Sequence, residues 1–154
     1  MDITLEQSIA SAIRFIQDHT EKGTEYYFGK IPENYYLPSI YFQVPFITGS
    51  KATLRSYKQE ITFNLWFMDS DTWNAHAAAS RMMELFMLEN CVFPVIEKDG
   101  NVTGEGLRIY EPSTRVIEDG IVQLSFNMPV YFHAAETIVE RERQIKIAWN
   151  KVKK

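Results

Sequence analysis

Between Ser56 and Asn90 the chain reads SYKQEITFNLWFMDSDTWNAHAAASRMMELFMLEN, and this stretch limits the possible folds more than any other. Tyr57, Ile61, Phe63, Leu65 and Phe67 fall on one side of an extended chain, with Gln59 the only polar member of that set. Lys58, Glu60, Thr62 and Asn64 fall on the other side, where Trp66 and Met68 break the pattern. Successive side chains of a strand point to opposite faces, so the alternation predicts a long, half-buried β-strand. A polar corner follows at Asp69 to Thr72. From Trp73 to Asn90 the segment is rich in Ala, Met, Leu and Glu and holds no Gly or Pro, which predicts a helix. Ala75, Ala78, Ala79, Met82, Leu85 and Phe86 share one of its faces, with small residues first and bulky ones later. Such a helix can lie across the apolar side of its own strand and make the centre of a core.

The flanks are read against that unit. Thr4 and Gln7 have the spacing of a capping box, and Leu5, Ile9, Ala12, Ile13 and Ile16 recur at helical intervals, predicting an amphipathic helix over Thr4–Asp18. After Gly23, the segment TEYYFGKIPENYYL shows no clean period and carries Tyr26, Tyr27, Phe28, Tyr35 and Tyr36. It reads either as a loop folded over the core edge or as a subunit contact. PSIYFQVP is a short strand fenced by Pro38 and Pro45, and fencing of this kind marks strand ends or a sheet edge. FITGSKATLR (46–55) reads as a long loop projecting from the body, a contact element or simply a solvated loop, with Lys51 and Arg55 its only charges.

Beyond the central helix, CVFPV is apolar and EKDGNVTGEG is an exposed, turn-rich segment. Its GEG lacks the glycine spacing and flanking elements of a dinucleotide fingerprint. Leu107–Ile117 and Ile121–Phe132 surround Glu118-Asp119-Gly120, a strong hairpin signal, and Pro129 suggests a bend or an edge position. Residues 134–154 form a C-terminal extension in which Ile145, Ile147 and Trp149 share a side only if extended, whereas Ala134, Ile138, Arg141 and Ile145 share one if helical. The expected architecture is therefore α+β, an antiparallel sheet of about four strands packed against two helices. One domain covers residues 1–133, with the extension following.

The chemistry of the chain is sparse. Its 154 residues suit one domain with a core of its own, burying roughly 68–70% of the unfolded surface. The net charge of -4 offers no broad attraction to nucleic acid. A lone cysteine, Cys91, excludes an intrachain disulfide and a cysteine-based zinc site. The first residues, MDITLEQS, lack the features of a signal peptide, and no apolar run approaches the ~20 residues of a membrane span, so a cytosolic product with no membrane partner is expected. Asp69 and Asp71 resemble a metal-binding pair, but capping of the following helix explains them better. His19, His76 and His133 stand apart from each other, and no G-x-S-x-G, P-loop or H-E-x-x-H is present. No catalytic, cofactor or metal residues are assigned, and the expectation is a non-enzyme. What stands out is an aromatic content of 14%, with many Tyr outside the regular elements. Tyr and Trp are enriched where protein meets protein.

The order of elements, carried by Thr4–Asp18, PSIYFQVP, YKQEITFNLWFMDSDTWNAHAAASRMMELF and LRIYEPSTRVIEDGIVQLSFNMPVYF, resembles the tail terminator proteins of long-tailed bacteriophages and phage-derived tail-like particles. The likeness extends through about His133 and is one of pattern, without a diagnostic motif. It implies a structural virion subunit, assembled in the host cytoplasm, that forms a ring, typically a hexamer, on the head-proximal end of the tail. Its partners would be further copies of itself, the tail tube protein, the head connector and, in contractile tails, the sheath. DNA would only pass through the lumen. Other connector or tail-assembly subunits would share this pattern, and a small α+β enzyme or binding domain is the rival class. Contact residues expected on this reading are Tyr26, Tyr27, Tyr35, Tyr36, Lys51, Arg55, Trp66 and Trp149.

Overall fold

The computed structural model describes residues 3–133. Helix α1 (Leu5–Asp18) opens with the predicted capping box: Gln7 N–H donates to Thr4 Oγ1 at 3.1 Å, and Thr4 N–H donates to Gln7 Oε1 at 3.0 Å. Its buried arc is turned from the expected stripe: Ser8, Ser11, Ala12, Phe15 and Ile16 are buried, while Leu5, Ile9 and Ile13 are only partly covered. The two serines can face inward because each hydroxyl donates back to a carbonyl one turn earlier, Ser8 to Thr4 and Ser11 to Gln7.

Strands β1 (Glu25–Phe28), β2 (Ser39–Phe42), β3 (Phe46–Lys51) and β4 (Ser56–Met68) follow, then helix α2 (Thr72–Leu88). Asn90 and Cys91, at φ 56° and 58°, end α2 two residues before the predicted limit. Strands β5 (Val92–Ile96), β6 (Val102–Arg108), β7 (Tyr110–Glu118) and β8 (Ile121–His133) complete the described chain. The α+β class holds, but the sheet does not have four antiparallel strands. Six strands join in one mixed sheet in the order β1-β2-β4-β8-β7, with β3 paired to β4, and β5-β6 form a separate two-stranded sheet.

The corrections have a common cause. Part of the Tyr-rich segment is strand β1, which runs parallel to β2 with Tyr26 opposite Ile40 and Tyr27 opposite Tyr41. The proline-fenced strand β2 is thus no edge, since β1 and β4 flank it. Much of the expected loop at 46–55 is β3, six residues paired with β4 from Phe46↔Thr62 to Lys51↔Tyr57, and only the tip remains a turn. The turn-rich segment contributes β6, and the strand expected over 107–117 is interrupted at Ile109, whose N–H donates to the Cys91 carbonyl at 2.8 Å. Each of these pieces is held by the neighbouring strand in sequence, β1 by β2, β3 by β4 and β6 by β5, and such pairing outweighs local composition.

β4 is the axis of the sheet, as its alternation predicts. Ile61, Phe63, Leu65 and Phe67 are buried, together with Met68. Along its whole length it pairs with β8, from Ser56↔His133 to Met68↔Ile121. Its inward side chains share one core with Ala75, Ala79, Met82 and Phe86 of α2, with Ala12, Phe15 and Ile16 of α1, and with Phe93 and Val95 of β5. Phe126 lies at the centre, its ring 5.0 Å from Phe63, 5.3 Å from Phe86 and 5.7 Å from Phe93. Pro129 sits within β8 opposite Glu60, with no break in the strand. β7 reaches only as far as Asn127, so among the described residues nothing pairs with that side of β8 at the proline.

The corner between β4 and α2 is closed by the β7–β8 hairpin. Asp69 N–H donates to the Gly120 carbonyl at 2.9 Å, and Gly120 N–H donates to Thr72 Oγ1 at 2.8 Å. Asp71 holds the cap position of α2, but its side chain makes no capping hydrogen bond, and the Asp69 carboxylate accepts from Ser70 N–H instead. The capping role expected of these aspartates is therefore limited to backbone position.

Candidate contact surface

Because both helices and the β5–β6 sheet share the core on one side, the opposite face of the main sheet presents the second set of alternating side chains. The register places Tyr27, Tyr41, Trp66, Gln123 and Arg115 in one row across five strands. The next rows hold Asn64 with Ser125, and Phe46 with Thr62 and Asn127. On β2, β4 and β8 the positions Tyr41, Thr62, Asn64, Trp66, Gln123, Ser125 and Asn127 are all uncharged and half-buried. Charges lie around this patch, with Glu60 and Lys58 further along β4 and Arg115 and Glu111 on β7.

These side chains are tied to one another. Trp66 Nε1 donates to Gln123 Oε1 at 3.0 Å, Gln123 Nε2 donates to Ser125 Oγ at 3.0 Å, and Ser125 Oγ donates to Asn64 Oδ1 at 2.7 Å. Thr62 Oγ1 donates to Asn127 Oδ1 at 2.9 Å. Tyr41 meets Trp66 edge to face at 5.5 Å. An aromatic centre with neighbouring amides and hydroxyls, and with charge only at the margin, has the composition of a protein–protein interface core.

The expected contact residues divide. Tyr27 and Trp66 join this face, and Tyr36, 72% exposed, is held beside it by its N–H donating to Tyr27 Oη at 2.9 Å. Tyr35 is exposed in the same segment. Tyr26 does not join this face: on the other side of β1 it is partly buried against the core, 6.2 Å from the Phe42 ring. Lys51 and Arg55 are exposed at the end of β3 and in the tip of the β3–β4 hairpin, where Arg55 N–H donates to Thr53 Oγ1 at 3.2 Å. Trp149 lies outside the described residues. Tyr41 and the Gln123–Ser125–Asn64 chain were missed, since only the pairing of distant strands brings them together.

A cleft of about 270 Å³ lies between the end of α1, α2 and the ends of β2 and β4. Its polar lining is largely committed to the fold: His19 Nδ1 lies 2.7 Å from the Phe15 carbonyl, the Thr20 hydroxyl donates to the Ile16 carbonyl, and Arg81 pairs with Glu21. Ser39 Oγ, also in the lining, is buried without a hydrogen-bond partner among the described residues. Among the described residues no group of three or more His, Cys, Asp and Glu could hold a metal ion, and no helix is long and apolar enough to cross a membrane.

Fold and surface together define an α+β domain with one sheet face covered by its own core and an uncharged aromatic patch on the other. No family model matches the chain. It is similar to the phage-like element PBSX protein XkdJ of Bacillus subtilis (strain 168), 23% identical over 109 residues, covering 70% of this chain and 75% of that protein. It is also similar to the uncharacterized protein YqbJ of the same strain, 24% identical over 90 residues and 58% of this chain. The match spans 62% of YqbJ's length.

Proposed function

We propose that this chain is a non-catalytic structural subunit of a phage tail or tail-like particle, forming a ring on the head-proximal end of the tail. The ring ends tube polymerisation, offers a docking surface to the head connector and, in a contractile tail, holds the last sheath layer. The observation that carries the reading is the open sheet patch around Tyr41 and Trp66, uncharged and aromatic, with Lys58, Glu60, Glu111 and Arg115 at its margin. Similarity to a protein named for a phage-like element supports a phage-related role, and the pattern of elements supports the terminator position. A ring needs two different lateral surfaces on each subunit, because a head-to-tail contact closes only if its rotation closes. Lys51 and Arg55, at the hairpin end, are assigned to contact with an acidic surface of a neighbouring ring. Two positive charges are too few to grip DNA against a net charge of -4.

Light scattering and negative-stain images of the purified protein, alone and mixed with tail tubes, test the proposal. A ring in solution, or a subunit that becomes a ring on one end of a tube, is the expected result. A monomer that leaves tube ends bare and tube length uncontrolled would refute it.

A further inference from the structure

Three polar side chains are buried among the described residues: Ser8, Ser11 and Ser39. The first two donate to helix carbonyls, whereas the hydroxyl of Ser39, a residue only 2% exposed, has no hydrogen-bond partner there. Buried hydroxyls are as a rule paired, so this one calls for something that completes it. Ser39 begins β2, between Glu25 of β1 and Met68 of β4, and it lines the cleft between the end of α1, α2 and the ends of β2 and β4.

The rest of the lining has a definite chemistry. Ile40, Phe67 and Met68 contribute from the strands, and Ala75, Ala78 and Met82 from α2. Ala75 and Ala78 stand three apart on one helix face, and their small side chains leave the space that a bulkier pair would fill. The thioethers of Met68 and Met82 favour contact with an aromatic ring. The three charged side chains of the lining are already engaged, Glu21 with Arg81 and Asp69 with Ser70. An ionic ligand would therefore give up its water without gaining a free counter-charge.

We propose that this cleft is a binding site for a small neutral aromatic carrying one hydroxyl, a phenol-class group. Its hydroxyl pairs with Ser39 Oγ and its ring lies against Ala75, Ala78 and Met82. A hydroxyl both donates and accepts, so it suits Ser39 in either role. An apolar cavity of roughly 150 Å³ holds benzene. The cleft, at about 270 Å³, has room for a substituted ring.

The test is a titration of the isotope-labelled full chain with phenol and, separately, with toluene, which has the ring without the hydroxyl. The amide signals of Ser39, Ile40, Ala75, Ala78 and Met82 should shift together and saturate, while those of Ser125 and Asn127 on the other sheet face stay in place. Ser39→Ala should weaken phenol binding about fivefold and leave toluene binding unchanged. Ala78→Leu, which fills the space, should abolish binding of both while circular dichroism stays that of the parent. Absence of a saturable shift, as in a chain whose cleft another of its own segments already fills, would overturn the site. Equal phenol affinity in the parent and in Ser39→Ala would overturn the assignment of its ligand.

Discussion

Replacing Gly120 by alanine tests whether the β7–β8 hairpin holds the strand–helix corner in place. Gly120 has φ +80°, and a Cβ built there lies 2.6 Å from the Asp69 carbonyl oxygen. The positive φ costs an L residue roughly 1–2 kcal/mol. Overlap with backbone adds about 1–3 kcal/mol, since Asp69 cannot retreat without stretching its own hydrogen bond to the Gly120 carbonyl. The expected destabilisation is about 2–5 kcal/mol, a large share of a typical domain's stability. In urea denaturation followed by tryptophan fluorescence, the midpoint should fall by about 1–2 M with an unchanged slope. Gly104→Ala is the control, because nothing lies within 4 Å of its added Cβ and its φ is not positive, so its midpoint should stay near the parent's. If Gly120→Ala and Gly104→Ala unfold at the same urea concentration, the corner is not built as described.

Ser11→Ala should cost about 1–3 kcal/mol, because Ser11 Oγ accepts from Ile96 N–H at 3.0 Å and its loss leaves that donor without the side-chain partner; thermal unfolding reads the effect. Phe126→Ala removes the ring that packs against three stacked or edge-on aromatics and should cost about 3–5 kcal/mol by urea denaturation. Trp66→Arg places a charge in the uncharged patch around Tyr41; ring formation on tail tubes should fail while circular dichroism stays that of the parent, and normal rings would count against the proposed contact. Lys51→Glu/Arg55→Glu should leave the subunit folded and block assembly on tails, and normal tails from this double variant would show that the hairpin end makes no such contact.

The parts of the fold that were legible in the sequence are those whose signals are local. The period of two in β4, the Thr4–Gln7 box, the helical run of α2 and the Asp-Gly turn each need only neighbours along the chain. β3 reads as a loop because Gly49 and Ser50 have turn chemistry, and six paired positions on β4 outweigh it. β1 was hidden for another reason: parallel pairing with β2 requires the chain to leave and return, and nothing in the Tyr cluster announces the return. In α1 the apolar residues misjudged the buried arc, because hydroxyls satisfied within the helix pack as small inward groups. The contact face was half legible. Trp66 stood out as an aromatic on a polar side, whereas its alignment with Tyr41 and Tyr27 depends on the register of three strands.

The hydrogen bonds that link Trp66, Gln123, Ser125 and Asn64 have a consequence for recognition as well as for folding. Long side chains on a surface usually lose rotamer freedom when a partner docks, at about 0.5–1.5 kcal/mol for each one immobilised. Here that freedom is already lost in the isolated subunit. A partner would meet a template whose donors and acceptors are aimed beforehand, so affinity would depend on matching the pattern more than on ordering it. Such a surface discriminates by geometry: a neighbour displaced by one strand spacing would find an amide where it needs a hydroxyl.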